Sequence, residues 1–472
     1  MKTIIRIMLL LSGIFWYGNI VGQSSTKNYI TTETVLISGQ TTESGVNALP
    51  YTQKRTHVEY YDGLGRLSQV NDYKASGSGT KDLITFVAYD AFGRQIKNYL
   101  PFASAQNMAY HTNPTTASNW TAYYGATDDD YAYSEKSYDN SPLNRVMEQA
   151  APGNTWKLGS GHTIKYDFSA NTTGEVMNYT IGSSNILNLT ATAYPANNLY
   201  KTTVWDENNE KMSSTSRTVE FKDKLGRVVL KRSYDGTTAF STYYVYNDWD
   251  LLCCVIPPKA TADDGSITST ELEQLCYQYK YDERNRLIEK KLPGIGWEYL
   301  IYDSRDRLVL SQDAKLRAVS ASKYHYTLYD NLNRPIEQGI CTETSDYPTL
   351  RGIVKGSNNY TPGSRSSRIL TYYDNYNTPS GWGYAYNTVY GQHTQTNNVK
   401  GLITGIKTYM LNTGAWLYTV NYYDKYRRLL QQYQRNPEGG YNRVSYAYDF
   451  EGKVTDKQTL HKKTASATSC KF

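Results

Sequence analysis

Cysteine is scarce in this chain, and its scarcity excludes one class of small secreted protein. Among 472 residues there are only five cysteines: Cys253, Cys254, Cys276, Cys341 and Cys470. So few thiols in so long a chain cannot form the disulfide framework on which small secreted domains depend. A pairing of Cys276 with Cys253 or Cys254 stays open, but we favour buried small apolar side chains as the interpretation.

Long apolar runs are absent after the first residues of the chain. Lys2 and Arg6 precede an apolar run over residues 7–17, and the small residue Gly22 follows. This order is typical of a signal peptide, and the run is too short to span a bilayer. We therefore predict a signal peptide over residues 1–22. The mature chain is expected to be exported, to the periplasm, the cell surface or the medium, without a transmembrane segment.

Charge of one sign is not concentrated in any region. The net charge is +6, from 50 basic and 44 acidic residues spread along the chain, which gives little support to nucleic-acid binding. There is no nucleophile elbow, phosphate loop or dinucleotide fingerprint, and the six histidines show no metal-ligand spacing. We predict no catalytic, cofactor-binding or metal-binding residues, and a protein that is not an enzyme.

Two acidic segments invite a cation-binding interpretation. Asp264, Ser266 and Glu271 match places of a calcium-binding EF-hand loop, but its first and third ligand places would be Ala260 and Ala262, which have no side-chain oxygen. The run at residues 128–130 is three aspartates. We favour solvated loops for both segments.

Phenylalanine is rare and tyrosine is abundant, with nine residues against forty-seven. A tyrosine can place its ring on a sheet and its hydroxyl in water. The bias therefore favours thin, half-exposed sheets over one large apolar core.

A short phrase recurs along the chain: Tyr-Asp, two residues, then Gly, Asn or Asp, then usually Arg. Ten copies occur, some of them loose, and they begin at Tyr61, Tyr89, Lys222, Tyr246, Tyr281, Tyr302, Tyr329, Tyr373, Tyr423 and Tyr448. A repeat on this scale decides the architecture before any single residue can indicate chemistry.

The phrase has the residues of a type I turn followed by a residue with positive φ. Asp suits the first place of such a turn, and the fourth place needs a residue that tolerates positive φ. Nine copies hold Gly, Asn or Asp there, and only Arg427 departs from this rule. Asp and Arg should then pair across the turn, Tyr should lie opposite Leu67 or its equivalent, and the turn should face water.

Each phrase is thus predicted to be a β-hairpin, and single hairpins are marginal in water. We predict an all-β fold, in which repeated hairpins form an extended, curved antiparallel sheet or partial shell. No substantial helix is expected beyond a turn or two at residues 270–274. The predicted organisation is an N-terminal β domain (23–155), an inserted β module (156–215) and a repeat sheet (216–472).

The phrase resembles the YD repeat of the RHS and teneurin-like family, whose core is Tyr-Asp-x-x-Gly-Arg-Leu. Residues 61–67, 89–102 and 141–153 also resemble the uncharacterised N-terminal domain that precedes such repeats in exported bacterial RHS proteins. The resemblance implies a spiralling β-shell that in some members encloses a C-terminal toxin, released at an Asp-Pro site. This chain contains no Asp-Pro dipeptide.

Two functions of different classes follow from these observations. The first is an exported, non-enzymatic scaffold, the front part of an RHS-type shell without its self-cleavage core and toxin, whose partner is another polypeptide. A truncated or split gene product is one reading of this. An open final strand is then expected around residues 444–449.

The second function is a cell-surface binding module for a glycan or a protein. Five tryptophans could stack on sugar rings: Trp120, Trp156, Trp297, Trp382 and Trp416. We favour the alternative that these aromatic side chains cover the sheet faces.

Overall fold

The chain consists of two compact units, each built almost entirely from antiparallel strands. A computed structural model describes residues 3–8 (backbone only), 26–37, 42–105, 107–112, 123–124, 131–182, 186–388, 394–466 and 469–471. The first unit comprises Met1–Asn178, Thr192–Tyr243 and Thr261–Gly265, and the second comprises Tyr179–Ala191, Tyr244–Ala260 and Ser266–Phe472. The all-β fold is as predicted, whereas curvature into a shell and the three domain boundaries stay predictions.

The first unit begins with a six-stranded sheet and continues into a second one. Its first strands are β1 (Thr3–Met8), β2 (Asn28–Val35), β3 (Lys54–Tyr61), β4 (Leu67–Asp72), β5 (Asp82–Phe86), β6 (Lys97–Tyr99) and β7 (Phe102–Ser104). The sheet has the order β1-β2-β3-β4-β5-β7. Strand β1 lies in the predicted signal peptide and pairs along β2. Residues 9–22 lie outside the described residues, so the signal peptide stays a prediction.

The second sheet of this unit starts at β6, which pairs with β8. Its further strands are β8 (Tyr133–Tyr138), β9 (Val146–Ala150), β10 (Ile164–Ala170), β13 (Tyr200–Trp205), β14 (Arg217–Lys222), β15 (Val228–Asp235) and β16 (Thr238–Tyr246). They pair in that order, each antiparallel to the one before. A separate two-stranded ribbon joins β11 (Met177–Asn178) and β12 (Thr192–Ala193).

In the second unit each described strand after the first pairs with the strand before it in the chain. The first seven strands are β17 (Leu252–Ile256), β18 (Tyr277–Tyr281), β19 (Leu287–Lys291), β20 (Glu298–Tyr302), β21 (Leu308–Gln312), β22 (Lys323–Tyr329) and β23 (Pro335–Thr342). The rest are β24 (Ser364–Tyr373), β25 (Ile403–Tyr409), β26 (Trp416–Tyr423), β27 (Leu429–Arg435), β28 (Tyr441–Tyr448), β29 (Val454–Lys462) and β30 (Cys470–Lys471).

Helices are short and lie between strands. The α-helices that lie wholly within the described residues are α1 (Glu43–Asn47), α2 (Ser269–Gln274), α3 (Ala314–Val319), α4 (Tyr347–Lys355) and α5 (Asn377–Ser380). Helix α2 occupies the predicted turn at residues 270–274. Helix α4 buries Leu350 and Val354 against Leu310 and Tyr326 of the sheet. Leu350 and Val354 can both face the sheet because they are one helical turn apart.

Buried amide side chains bind chain segments that cross the sheets. The Asn71 amide donates to the backbone carbonyls of Met108 (3.1 Å) and Ala109 (2.8 Å). In the second unit, Gln431 donates to the carbonyl of Asn387 (2.8 Å) and accepts from its N–H (3.0 Å). These contacts supply hydrogen-bond partners to backbone groups that have no strand beside them.

The predicted turn geometry is confirmed, although two copies differ from expectation. Nine of the ten fourth-place residues have positive φ: Gly65, Gly93, Gly226, Asp250, Asn285, Asp306, Asn333, Arg427 and Gly452. Arg427 thus adopts the turn after all (φ 68°), because its N–H donates to the Asp424 carbonyl at 2.9 Å. Asn377 does not, since it begins α5, and Asp374 takes positive φ instead (70°).

The expectation of an open strand at residues 444–449 is wrong. Strand β28 is paired on both sides, with β27 and with β29. The reason is that the phrase starting at Tyr448 is itself a hairpin turn, whose second arm is β29. Among the described residues, the outer edge of β29 is paired only at Leu460 and His461, with β30.

Alanine substitutions at two glycines of the second unit test the effects of backbone strain and of helix propensity separately. Gly452 has φ 90°, and an added Cβ would make only ordinary contact there, so Gly452→Ala should lower the free energy of unfolding by about 1–2 kcal/mol. Gly352 lies inside α4 with open space around it, so Gly352→Ala should raise the free energy of unfolding by up to about 1 kcal/mol. Urea unfolding of both variants measures the two signs. A Gly452→Ala variant as stable as wild type would contradict the turn assignment.

Candidate functional site

Each phrase closes its own turn through the aspartate, as the copy at Asp303 shows. Oδ1 of Asp303 accepts from the N–H groups of Arg305 (2.9 Å) and Arg307 (3.0 Å), and Oδ2 accepts from Nε of Arg307 (2.7 Å). The same aspartate–arginine pair, expected from the sequence, occurs at Asp62, Asp90, Asp223, Asp282, Asp330 and Asp424. The cross-strand partner of Tyr61 is Leu67, also as predicted.

The arginine of one phrase also stacks on the tyrosine of the next phrase. The guanidinium carbon lies 4.4 to 5.1 Å from the ring centroid in six pairs: Arg66–Tyr89, Arg94–Tyr138, Arg286–Tyr302, Arg307–Tyr329, Arg334–Tyr373 and Arg428–Tyr448. Such cation–π contacts contribute about 0.5–2 kcal/mol, more where water is excluded. We call this repeated arrangement of aspartate, arginine and following tyrosine the Asp–Arg–Tyr ladder.

The tyrosine is held at its hydroxyl as well as at its ring. Tyr329 donates to the carbonyl of Leu308 (2.7 Å), and Tyr448 donates to that of Leu429 (2.7 Å). In each pair the acceptor is the residue that follows the arginine of the preceding phrase. Burial raises the pKa of Tyr281, which makes the same kind of bond, to about 12. These hydroxyls therefore stay protonated donors at neutral pH.

The ladder explains why several copies carry Asn or Asp at the fourth place. Nη1 of Arg94 donates to the side chain of Asn144 (2.7 Å), and Nη1 of Arg286 donates to that of Asp306 (2.7 Å). Glycine would permit the turn but would offer no side-chain acceptor. The fourth residue thus meets both a backbone requirement and a contact from the preceding turn.

Asn144 belongs to a copy that the spacing of the phrase concealed. Tyr138-Asp139 is followed by two extra residues before Asn144 and Arg145. Arg145 still donates from Nε to Asp139 (2.7 Å), Asn144 still has φ 51°, and Tyr138 still lies opposite Val146. The Tyr-Asp and Asn-Arg dipeptides were the only local signal of this copy.

Hydrogen bonds lower the pKa of four ladder carboxylates, those of Asp62, Asp90, Asp282 and Asp330. The backbone and side-chain hydrogen bonds from Arg66 lower the pKa of Asp62 below its usual range. Burial opposes ionisation of Asp282, yet hydrogen bonds from Arg286 still lower the pKa of that carboxyl. The Asp303–Arg307 pair is the most enclosed, with side chains 0% and 8% exposed.

The turn tips carry large apolar side chains into water. The residue just before the positive-φ position is apolar and exposed in seven turns: Leu64, Phe92, Leu143, Leu225, Trp249, Leu332 and Tyr426. In the turn that ends at Gly452, the exposed apolar residue Phe450 lies one place earlier. The sequence predicts that the turns face water, which is confirmed, but not that their tips are apolar. Type I turns do not require an apolar residue at this place. We call Leu64, Phe92 and Leu143, on three turns joined by the ladder of the first unit, the tip row.

The EF-hand-like segment uses its carboxylates within the protein. The Glu271 carboxylate accepts from the N–H (2.9 Å) and hydroxyl (2.7 Å) of Thr268 and so caps α2. Ala260 and Ala262 are buried. Within the described part of the chain, no group of three or more His, Cys, Asp or Glu side chains could hold a metal ion. Residues 128–130 lie outside that part.

Three of the five tryptophans weighed as sugar platforms are half-buried and contacted by other side chains. Lys280 lies over Trp297 and Lys407 over Trp416, while Trp382 packs between Tyr372 and Tyr418. Trp120 lies outside the described residues. Trp156 is 38% exposed.

Four of the five cysteines follow the interpretation favoured from the sequence. Cys253, Cys254, Cys276 and Cys341 are buried and free, and Cys470 is exposed. Burial raises the pKa of the Cys253 thiol. No helix in the described residues has the length and apolar character needed to cross a membrane.

Comparisons with known proteins find one domain family and a number of solved structures that are similar to parts of the chain. A family model described as a domain of unknown function, DUF6443, matches residues 33–170. Among curated protein sequences, none matches significantly.

Solved structures of TcdB2-TccC3 are among those that match. One, without the hypervariable C-terminal region, has 13% identity and a TM-score of 0.47, over 94% of this chain and 19% of that chain. The second, of TcdB2-TccC3, has 14% identity and a TM-score of 0.46, over 94% of this chain and 20% of that one. The chain therefore spans about a fifth of the length of these structures.

Removing the arginine of the most enclosed ladder pair should be far more destabilising than removing an exposed one. Arg307→Ala leaves the Asp303 carboxylate buried without its cation, so we expect a loss of about 3–5 kcal/mol in the free energy of unfolding. Arg284 pairs with Asp306 at the surface, with both side chains nearly half exposed, so Arg284→Ala should cost less than about 1 kcal/mol. Urea denaturation distinguishes the two. Equal losses would show that the ladder pair is not specially stabilising.

Stability should fall on acidification. The pKa values of Asp62, Asp282 and Asp330 are lower in the folded chain than their ordinary value, so below about pH 4 the unfolded chain binds more protons. The stabilisation is then complete above that pH and is lost as the pH falls through the folded pKa values. Urea midpoints from neutral to acidic pH measure this loss. Arg286→Gln should reduce the pH dependence, and a variant with an unchanged profile would contradict the assignment.

Proposed function

We propose that this chain is an exported, non-enzymatic scaffold, a segment of an RHS-type shell, that holds another polypeptide along its turn tips. The observation that carries the proposal is the tip row. Leu64, Phe92 and Leu143 are 78%, 83% and 71% exposed. Large apolar side chains that stand exposed on several turns of a folded protein are typical of surfaces that contact a partner.

The ladder supports this role because it fixes the tips relative to one another. Arg66 stacks on Tyr89, and Arg94 stacks on Tyr138 and donates to Asn144. Three consecutive turns are thereby joined through charged and aromatic contacts. A partner would contact apolar side chains at fixed spacings, and the scaffold would lose little conformational entropy when the partner binds.

The chemistry of the ladder also suits a structural role. Both oxygens of Asp303 accept hydrogen bonds from Arg307, and the Arg307 guanidinium in turn donates to the carbonyl of Asn358 (2.6 Å). With these bonds made and its side chain fully buried, Asp303 has no exposed carboxylate oxygen to offer a substrate. The resemblance of the phrase to YD repeats agrees with a casing for a polypeptide.

The tip row can be tested by substitution in the exported chain. A variant with Leu64→Ser, Phe92→Ser and Leu143→Ser should keep its stability within about 0.5 kcal/mol per site, since these side chains are exposed. In the cells that produce the chain, chemical cross-linking of the tagged protein should capture a polypeptide with wild type and lose it with this variant. Mass spectrometry identifies the captured polypeptide.

A matched control uses exposed apolar residues of the same unit that lie outside the turns of the repeated phrase. Tyr200→Ser with Met212→Ser, at positions 64% and 76% exposed, should retain the cross-linked polypeptide. Equal capture by the tip variant, or no captured polypeptide with wild type, would overturn the proposal.

A further inference from the structure

The first unit contains a cleft beside Trp156, and no tip-row residue lines it. Its volume is about 470 Å³, and its walls include Gln149, Trp156, His162 and Glu207. A second cavity of about 300 Å³ adjoins it and shares Glu207 and Ile164. Both volumes fall at the lower end of the range for small-ligand sites, about 300–1,000 Å³. Together they form a two-compartment groove, with Glu207 between the compartments.

A buried lysine holds the two loops that form the walls of the cleft. Lys165 is 7% exposed, and its ammonium donates to the carbonyls of Gly161 (2.7 Å), Thr163 (3.2 Å) and Asn209 (3.0 Å). Gly161 and Thr163 flank His162, and Asn209 lies in the turn that carries Glu207. Three charge-assisted bonds therefore fix the positions of His162 and Glu207 before any ligand arrives.

Trp156 is also held in place, at the end of a single 3-10 turn over Asn154–Trp156. The backbone N–H of Trp156 donates to the backbone carbonyl of Gly153 (3.0 Å), and the backbone N–H of Gly153 donates to the backbone carbonyl of Tyr131 (2.8 Å). The His162 ring packs against the indole with centroids 5.6 Å apart. More than a third of the indole nevertheless remains exposed, so an anchored aromatic surface faces the cleft.

The polar groups around this surface favour a ligand rich in hydroxyls. His162, Gln149 and Glu207 together offer both hydrogen-bond donors and acceptors, and their side chains make no hydrogen bond to another described residue. A pyranose matches this set, because its C–H face packs on an indole while its hydroxyls both donate and accept. An anionic ligand is disfavoured, since Glu207 is acidic and Arg217 of the second cavity lies over Tyr234 at 3.8 Å.

We propose that this cleft binds a neutral oligosaccharide. One pyranose stacks on Trp156 within reach of His162 and Gln149, and the next passes Glu207 into the second compartment. Lys165 is a positioning residue that keeps the walls together. The site does not depend on the scaffold role, because none of its residues belongs to the tip row.

Saturation-transfer NMR and titration with neutral trisaccharides test the site. The probes are maltotriose, cellotriose and chitotriose, with a proline-rich peptide as the other class of ligand that stacks on tryptophan. We expect at least one trisaccharide to bind the full chain. Trp156→Ala should weaken that binding about tenfold or more, as the loss of a central aromatic contact does. Glu207→Gln and His162→Ala should each weaken it several-fold.

Two further variants keep the result interpretable. Trp249→Ala removes a tryptophan that is 73% exposed at a turn tip, and it should leave binding unchanged. Trp156→Phe should restore part of the binding lost in Trp156→Ala, and circular dichroism should show that both variants are folded. The proposal is overturned if no trisaccharide binds at millimolar concentration, if Trp156→Ala binds as well as wild type, or if only the peptide binds.

Discussion

The guanidinium group of the phrase arginine belongs to two hairpins at once, and the order of the sheets depends on this sharing. Through Nε, Arg307 bonds to Asp303 of its own turn, while its plane lies against Tyr329 of the next turn. A planar cation with several donors can do both, whereas a lysine ammonium offers neither a bidentate fork nor a stacking plane. Each turn is therefore made locally and joined to its neighbour by the same side chain.

Of the two contacts that each arginine makes, the sequence could predict the one within its own turn but not the one with the next turn. The turn was predictable because Asp62 and Gly65 lie within one short phrase and their chemistry is local. The opposition of Tyr61 and Leu67 followed from the same turn. The stack of Arg66 on Tyr89 was not predictable, because the number of residues between phrases varies and no pattern within one phrase specifies its neighbour.

Arg427 and Asn377 show the limits of residue preference even within the phrase. The hydrogen bonds of Asp424 hold Arg427 in a conformation that its own side chain disfavours, whereas a short helix takes Asn377 out of the turn. The cleft beside Trp156 depends on a longer-range contact. Lys165 joins loops more than forty residues apart, and a lone lysine in a β-strand carries no signal of that partnership.

The pairing of each strand with its predecessor in the second unit also bears on how the chain folds. Contacts between consecutive strands are short in sequence, so loop closure is inexpensive in entropy at each step. Each new hairpin can pair with the edge of the sheet that has already formed, and its tyrosine can stack on the arginine of the preceding turn. We expect folding to advance vectorially from the N-terminal side, one hairpin at a time, as the polypeptide leaves the ribosome.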